Sequence, residues 1–281
     1  MTVEPGMKYH ASINLAEKNS SHTLAYDMVQ AHARGRALRV LEVGCASGYW
    51  GEVLKAAGHS VVGVEPDPVA ATAAQTLLDQ VFVGFADDYF ASHPDERFDV
   101  ISFVDVLEHT ANPEVVLDVC RSRLKPGGVV VASIPNVAHV AVRGMLLAGK
   151  WDYAKTGIMD NSHIRFFTRN TIVELFSATA FRILDFRPTT MRGGEAVRRY
   201  GLYSPFLFRV VIGLLAPDRE WRNFQYIVCA TPAESGDTFR ANNLRFADHP
   251  GFFQALFFKA DILRRTIILE IKLKLSRLIS K

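Results

Sequence analysis

Val40-Leu41-Glu42-Val43-Gly44-Cys45-Ala46-Ser47-Gly48-Tyr49-Trp50-Gly51 is the stretch on which the reading of the chain turns. It opens as an apolar, β-branched run, the pattern of a strand buried on both faces of a parallel sheet. It then breaks into three glycines spaced four and three residues apart. Glycine admits positive φ and lets a ligand approach the backbone closely. Beyond Gly51, Val53-Leu54-Lys55-Ala56-Ala57 predicts a helix that Gly58 stops. Strand, glycine turn and helix make the opening unit of a nucleotide-binding α/β domain. The turn is neither G-x-G-x-x-G nor a P-loop, because position 46 is Ala and no Lys follows Gly48. A second strand, Ser60 to Val64, ends at Glu65, 21 positions after Gly44 (65 − 44). An acid at that place accepts both hydroxyls of a ribose. A glycine-bearing turn without a ligand is the plain alternative, and the placing of Glu65 argues against it.

Leu41-Glu42-Val43-Gly44-Cys45-Ala46-Ser47-Gly48 and Val62-Gly63-Val64-Glu65-Pro66-Asp67 resemble motifs I and II of the class I S-adenosylmethionine-dependent methyltransferases. The resemblance implies S-adenosylmethionine as cofactor, contacted by Glu42, Gly44, Cys45, Ala46, Ser47, Gly48, Glu65 and Pro66. After a third strand, Val81 to Val83, the family's adenine-contacting position follows. Phe85 stands where the family often has Asp, so Ala86 and Asp87 are the implied contacts here. Val104 and Asp105, ending strand four, complete the implied cofactor set.

The alternation continues outward from this core. Asn19-Ser20-Ser21 offers an N-cap to a helix over His22 to Arg34, with Leu24, Met28 and Ala31 on one face. Pro68 to Leu78 predicts a helix with Pro near its start. Phe98 to Val104 predicts strand four, Pro113 to Leu124 a helix, and Lys125-Pro126-Gly127-Gly128 a turn into strand five, Val129 to Ile134. Val137 to Ala148 predicts a helix with His139 facing solvent. Thr168 caps another over Arg169 to Thr179, and Phe181 to Phe186 and Phe224 to Ala230 predict strands six and seven. Strands alternating with helices argue for a doubly wound α/β sheet. The resemblance makes it a seven-stranded, mostly parallel, Rossmann-like sheet whose antiparallel last strand inserts between strands five and six. Residues 1–232 then form the domain, with an N-terminal helical cap over 1–37 and an insertion over 187–223. Residues 233–250 read as a linker and 251–281 as a helical C-terminal tail.

Composition bounds what the protein does. The chain has 281 residues, 49% of them apolar, and a net charge of +3. From Lys259 to Lys281 seven Lys or Arg face two acids, a local +5, which leaves the rest at −2 (3 − 5). The body therefore shows no nucleic-acid footprint. Cys45, Cys120 and Cys229 form no C-x-x-C pair, so no metal site or disulfide framework is expected, and the default compartment is the cytoplasm. No secretory leader opens the sequence, and no run of eighteen apolar residues predicts a membrane span.

The tail repeats Phe253, Leu256, Phe257, Leu263, Ile267, Ile271, Leu275 and Leu278 at helical spacing, with Lys272, Lys274, Arg277 and Lys281 largely off that face. Such a helix lies peripherally on an anionic membrane at its inner face, or docks on the protein or on a second copy in a homo-oligomer. Glu270 to Leu275 also alternates as a strand would.

Methyl transfer to a hydroxyl needs alignment and a proton acceptor. His109 follows strand four, at the carboxyl edge where α/β ligands bind. It is a candidate base, or a brace for its loop. His163 is the second candidate, with Asp160 and Arg165 beside it in a polar cluster. Asp105 is a candidate for touching the acceptor or a metal, although no second carboxylate is fixed beside it by spacing. Leu107-Glu108-His109 and Leu124-Lys125-Pro126-Gly127-Gly128 again resemble class I methyltransferases, including quinone and sugar O-methyltransferases. Ser133 to Val137, Gly149 to Tyr153, Gly157 to Asp160 and His163 to Thr168 resemble a subgroup associated with bacterial glycan and cell-envelope synthesis. That resemblance implies a sugar hydroxyl as acceptor, with Asn136, Trp151, Tyr153 and Arg165 as sugar-contacting types. The competing readings are a small-molecule or quinone O-methyltransferase and a cofactor-binding scaffold without turnover.

Overall fold

The computed structural model describes residues 13–190 and 220–234. The tail over 251–281, most of the linker over 233–250, most of the insertion over 187–223 and the start of the cap lie outside the described residues. The elements are α1 (Ser21–Ala33), β1 (Arg39–Val43), α2 (Tyr49–Ala56), β2 (Ser60–Glu65), α3 (Pro68–Ala74), β3 (Gln80–Val83), α4 (Ala86–Ser92), β4 (Phe98–Val104), α5 (Pro113–Arg123), β5 (Leu124–Pro135), α6 (Val140–Leu147), α7 (Arg169–Ala178), β6 (Phe181–Thr190) and β7 (Asn223–Pro232).

One seven-stranded sheet runs in the order β3-β2-β1-β4-β5-β7-β6. β1 pairs in parallel with β2 and β4, β2 with β3, and β4 with β5, whereas β7 runs antiparallel to β5. The expected sheet and its inserted last strand are therefore present. Val40, Leu41, Val61, Val100, Ile101, Val130 and Val131 are all buried, as continuous apolar strands covered on both faces must be. β6, at the sheet's end, instead alternates buried Phe181 and Ile183 with exposed Arg182 and Leu184.

The helices differ from expectation in instructive ways. α1 buries Ala25, Met28, Val29 and Ala33, a face shifted by about one residue from the Leu24–Met28–Ala31 stripe; Ala31 is exposed. Ser20 is its N-cap without a side-chain cap bond. Asn19 instead exchanges two hydrogen bonds with the backbone of Thr190, tying the start of α1 to the end of β6. α2 starts at Tyr49, so Gly51 lies inside the helix rather than before it. The reason is space: a Cβ at Gly51 would sit 2.4 Å from Glu42 Oε2 and 2.5 Å from Leu78 Cδ2. α3 ends at Ala74, short of Leu78, and α4 was not expected. Thr168 and Thr171 form a reciprocal capping box that starts α7 where the sequence placed it.

The chain divides into two compact units. The first carries the sheet, α1 to α5, α7 and the Asp152–Thr168 segment. In the second, the described helix is α6, whose N-cap is His139. The His139 ring accepts from the Ala141 N–H and is buried, so it does not face solvent as expected. Among the described residues, no helix is long and apolar enough to cross a membrane.

Candidate active site

The strand order reverses direction between β1 and β4, and ligands of open α/β sheets bind beside such a switch point, at the carboxyl ends of the strands. Gly44 to Gly48 cross that edge. Gly44, Ala46 and Gly48 all take left-handed backbone, with φ of 70°, 48° and 83°. At Gly44 the turn is closed by its N–H, which donates to Val64 O at 2.8 Å, and a Cβ there would meet Val106 Cγ2 at 2.7 Å. The strained Ala46 is held by Glu65: Oε2 accepts from the Ala46 N–H at 2.8 Å, and Oε1 from the Asp67 N–H at 2.9 Å. Glu65 therefore braces the turn from the end of β2, the position at which the sequence predicts a ribose contact.

Glu42 lies under the turn, 4% exposed. Burial pushes its carboxyl up to about 8, against a lowering hydrogen bond from Gly51 and with a further rise from Glu65. One of its oxygens, Oε2, has no hydrogen-bond partner. Register places Val83 beside Glu65, and Val83 and the following Phe85 are exposed, Phe85 to 67%. An unpartnered buried carboxylate oxygen, a cradle at Gly44 with no room for a side chain, and an open apolar edge beside Glu65 fit a nucleoside cofactor.

At the end of β4, Asp105 adopts φ 58°. Its Oδ1 accepts from Ser133 Oγ–H at 2.5 Å and Gln225 Nε2–H at 2.7 Å, and its own N–H donates to Ser133 Oγ at 2.9 Å. His22 of α1 senses this carboxylate: burial lowers its pKa and Asp105 raises it. Its ring lies 3.4 Å from the Tyr49 hydroxyl. Gln225 and His22 were not singled out from the sequence, and Ser133 entered only within the Ser133 to Val137 motif, with no role of its own.

The three residues after the next turn gather a second cluster. His109 Nδ1 lies 3.1 Å from Ser162 O, and His163 Nδ1 lies 3.0 Å from Ile158 O. A carbonyl only accepts, so both Nδ1 atoms carry hydrogen, and the neutral form of each ring has its lone pair on Nε2. The rings meet edge to face, 4.7 Å apart. Glu108 is 1% exposed, and neither of its carboxylate oxygens has a partner. Burial raises its pKa well above the usual range, and Asp105 and Asp160 add to the rise. Its carbonyl accepts the N–H groups of Ile164 and Arg165, each at 3.0 Å, which fastens the His163 segment to the end of β4. His163 Nε2 is 4.0 Å from Glu108 Oε1, and burial lowers the His163 pKa. Ligand atoms of Glu108, His109 and His163 all lie within 4.8 Å of one another, so these residues could hold a metal ion. In the sequence Asp105 alone is a candidate metal contact, and these three are not joined, because 54 positions separate His163 from His109 (163 − 109).

Asp160 is buried and accepts from both the N–H and the hydroxyl of Ser162, at 2.8 and 2.5 Å, which shapes the turn that presents His163. Cys45 and Ser47 are buried in the glycine turn, and burial pushes the Cys45 thiol far up. Pro66 is exposed beyond Glu65; Ala86 is buried and Asp87 exposed at the start of α4; Val104 is partly buried at the end of β4. Asn136 is buried, its N–H donating to Phe224 O. Arg165 is exposed, and its Nε donates to Ala111 O at 2.9 Å. Trp151 and Tyr153 are exposed; Trp151 belongs to the second unit and Tyr153 to the first. A cavity of about 490 Å³, lined in part by His32, Arg34, Arg36, Gly127 and Asp185, lies at the opposite edge of the sheet, where β5 begins.

Comparison with known proteins gives a consistent picture. Residues 15–185 match a family model described as a methyltransferase domain. A "Ubiquinone biosynthesis O-methyltransferase" of Azoarcus sp. (strain BH72) is 29% identical over 183 residues, which cover 59% of this chain and 76% of that protein. One of the same description from Cereibacter sphaeroides (strain KD131) is 32% identical over 120 residues, 41% of this chain. The chain thus spans about half the length of that relative, 48%. Among solved structures, a SAM-dependent methyltransferase from Archaeoglobus fulgidus aligns with TM-score 0.53 and 19% identity, covering 77% of this chain and 97% of that one. Magnesium protoporphyrin IX methyltransferase from Synechocystis PCC 6803, with bound SAH, aligns with TM-score 0.51 and 14% identity over 81% of this chain and 91% of that one. At such identities the two structures establish the fold.

Proposed function

The chain belongs to the methyltransferase-domain family, and on that premise we propose that it transfers a methyl group from S-adenosylmethionine to a hydroxyl oxygen of a small acceptor. The observation that carries the reading is the Glu65 carboxylate, which braces a left-handed glycine turn and faces the carboxyl edge next to an exposed apolar strip. Gly44, Ala46 and Gly48 would admit the cofactor against the backbone, Glu65 would accept its ribose hydroxyls, and Val83 and Phe85 would cover a base face. When bound, S-adenosylmethionine supplies an electrophilic methyl group on a sulfonium.

The chain itself supplies alignment and proton acceptance. Asp105, fixed by Ser133 and Gln225, offers a carboxylate to orient the acceptor hydroxyl. The proton leaves toward the neighbouring Glu108–His109–His163 cluster, whose two Nε2 atoms carry lone pairs. Asp160 positions His163 by shaping its turn and is not itself the proton acceptor.

For the acceptor, the names of the relatives favour a phenolic hydroxyl of quinone type over the sugar hydroxyl expected from the sequence. The sugar reading keeps the exposed faces of Trp151 and Tyr153 as its support. The test is calorimetric titration with S-adenosylmethionine followed by S-adenosylhomocysteine release with a catechol panel and a sugar panel. Turnover on catechols supports the quinone-type reading, turnover on sugars alone replaces it, and cofactor binding with no turnover on either points to the scaffold. The domain limits, the membrane contact of residues 251–281 and a homo-oligomer remain part of the proposal, tested by liposome co-sedimentation and light scattering of full-length and 1–250 chains.

A further inference from the structure

We propose that the cavity at the edge of the sheet opposite the glycine turn binds a small organic phosphate, its phosphate held by Arg34 and Arg36 and its body on an apolar floor. The cavity, of about 490 Å³, has the size of sites that take small organic ligands. Its described lining comes from α1, the loop into β1, and β5, β6 and β7, all within the first unit. Met28, Ala31 and Leu184 supply apolar surface. Cys229 joins them as a neutral thiol, because burial pushes it up to about 12.

The charges around this cavity do not balance. Arg39 pairs with Glu96, Lys125 with Asp99 and Arg187 with Asp185. The guanidinium groups of Arg34 and Arg36 have no such partner among the described residues. The nearby carboxylates are already engaged. Asp185, itself in the lining, lies 2.5 Å from Arg187, and Asp99 is held by Lys125 and by the Arg39 N–H, at 2.7 and 2.8 Å. Two of the last carbonyls of α1 are satisfied by backbone, Gln30 O by the Arg34 N–H and Ala33 O by the Arg36 N–H. His32 reports the resulting field. Burial lowers its pKa, and Arg36 and Arg34 lower it further against the pull of Asp99.

The backbone adds an independent sign. Arg34 ends α1 in left-handed conformation, φ 47°, where glycine would be unstrained, and Gly35 beside it takes φ 81°. Strain of this kind persists where the side chain has a use. Arginine forks match the oxygens of a phosphate two at a time. A dianionic monoester balances both guanidinium charges, whereas a monocarboxylate leaves one over. The cavity lies across the sheet from Glu65 and Asp105, so the proposal does not rest on the methyl transfer.

The test is calorimetric titration of the full-length chain, in near-neutral HEPES at low salt, with phenyl phosphate, inorganic phosphate and benzoate. Phenyl phosphate is expected to bind one to one with Kd below about 1 mM. Inorganic phosphate should bind roughly tenfold more weakly, for want of an apolar body. Arg34→Gln and Arg36→Gln are each expected to weaken phenyl phosphate by about tenfold or more, the loss of a charge-assisted hydrogen bond. Both side chains are exposed, and S-adenosylhomocysteine affinity within about twofold of wild type reports that the variants are folded. Leu184→Gln, also at an exposed position, should narrow the gap between phenyl and inorganic phosphate. Vesicles of phosphatidylcholine and phosphatidic acid identify the source of the phosphate. Sedimentation that the double arginine variant loses assigns a lipid headgroup. Arginine-dependent binding of phenyl phosphate, with sedimentation absent or unchanged in that variant, assigns a soluble ester. The proposal is overturned if neither phenyl phosphate nor these vesicles bind, if the double variant binds both as wild type does, or if benzoate binds as tightly as phenyl phosphate.

Discussion

Replacing Glu65 by Ala separates the two jobs of that carboxylate. In the folded chain it accepts the Ala46 N–H at 2.8 Å and the Asp67 N–H at 2.9 Å, and the side chain is 9% exposed. Truncation leaves two donors short of a partner. Each unmet donor costs about 1–3 kcal/mol when fully buried, and less where water reaches it. Asp67 is exposed, so its N–H can be rehydrated; Ala46, held at φ 48°, is the one that loses its tether. The expected loss of stability is therefore about 1–3 kcal/mol in urea unfolding. Cofactor binding suffers twice, because the ribose loses its acceptor and the turn loses its preset shape. A combined loss of about 2–4 kcal/mol corresponds to roughly 30–1,000-fold in affinity. Calorimetric titration of wild type and Glu65→Ala with S-adenosylhomocysteine reads this directly. Glu65→Gln supplies the control: it keeps one acceptor oxygen and turns an NH₂ toward a backbone N–H, so its affinity should fall between the two. Unchanged affinity in Glu65→Ala would remove the glycine turn from the cofactor site, whatever happened to stability.

Three further outcomes follow from the same geometry. Glu42 has its pKa raised to about 8 from 4.5, so the folded chain holds a proton that the unfolded chain sheds. Its stabilising contribution is present at low pH and is lost as pH rises from about 4.5 through 8, by at most about 5 kcal/mol (3.5 × 1.36). Glu42→Gln should flatten the urea stability curve over that window, and parallel curves would refute the buried, neutral carboxyl. Gly51→Ala should destabilise by about 1–3 kcal/mol in spite of alanine's helix propensity, because its Cβ meets Glu42 and Leu78; a rise in melting temperature would contradict this. At Asp105, with φ 58°, Asn should leave unfolding within about 1 kcal/mol of wild type, whereas the β-branched Asp105→Val should cost about 1–2 kcal/mol or more; equal midpoints would show that the strain is relieved elsewhere.

Much of the sheet was legible because its signal is local. β1, β2 and β4 are short apolar runs that end at Glu65, Asp105 or a glycine, and they form within a residue or so of where the pattern puts them. The antiparallel β7 was reachable only through family resemblance, since nothing in Phe224 to Ala230 states its direction. α4 was missed because Ala86 to Ser92 is only seven residues long and its first residues, Ala86 and Asp87, were read as a cofactor-contacting loop, although Ala86, Tyr89 and Phe90 are spaced as a helix face. The start of α2 was misplaced because Gly51 was read as part of the turn, whereas it is small on account of Glu42 and Leu78 above it. The glycine turn and Glu65 were visible as a pair. The relation of Glu108 to His163 was not, because it is made by long-range bonds, from Ile164 and Arg165 to the Glu108 carbonyl and from His109 to the Ser162 carbonyl.

The position of β7 also sets a timetable. β5 has β4 on one side, and its other side is closed only by β7, which is in turn the strand through which β6 joins the sheet. During synthesis the ribosome therefore delivers β5 and β6 before the strand that belongs between them. Gln225 emerges 120 residues after the Asp105 it binds, roughly 6–24 s later at 5–20 residues per second. From the completion of β5 at Pro135 until β7 arrives, the nascent chain carries a long apolar strand with a bare edge, the kind of surface on which other chains stack. A chain stalled or cut before Asn223 would be caught in that state, and its fate would be decided by chaperones and proteases before it could turn over any acceptor.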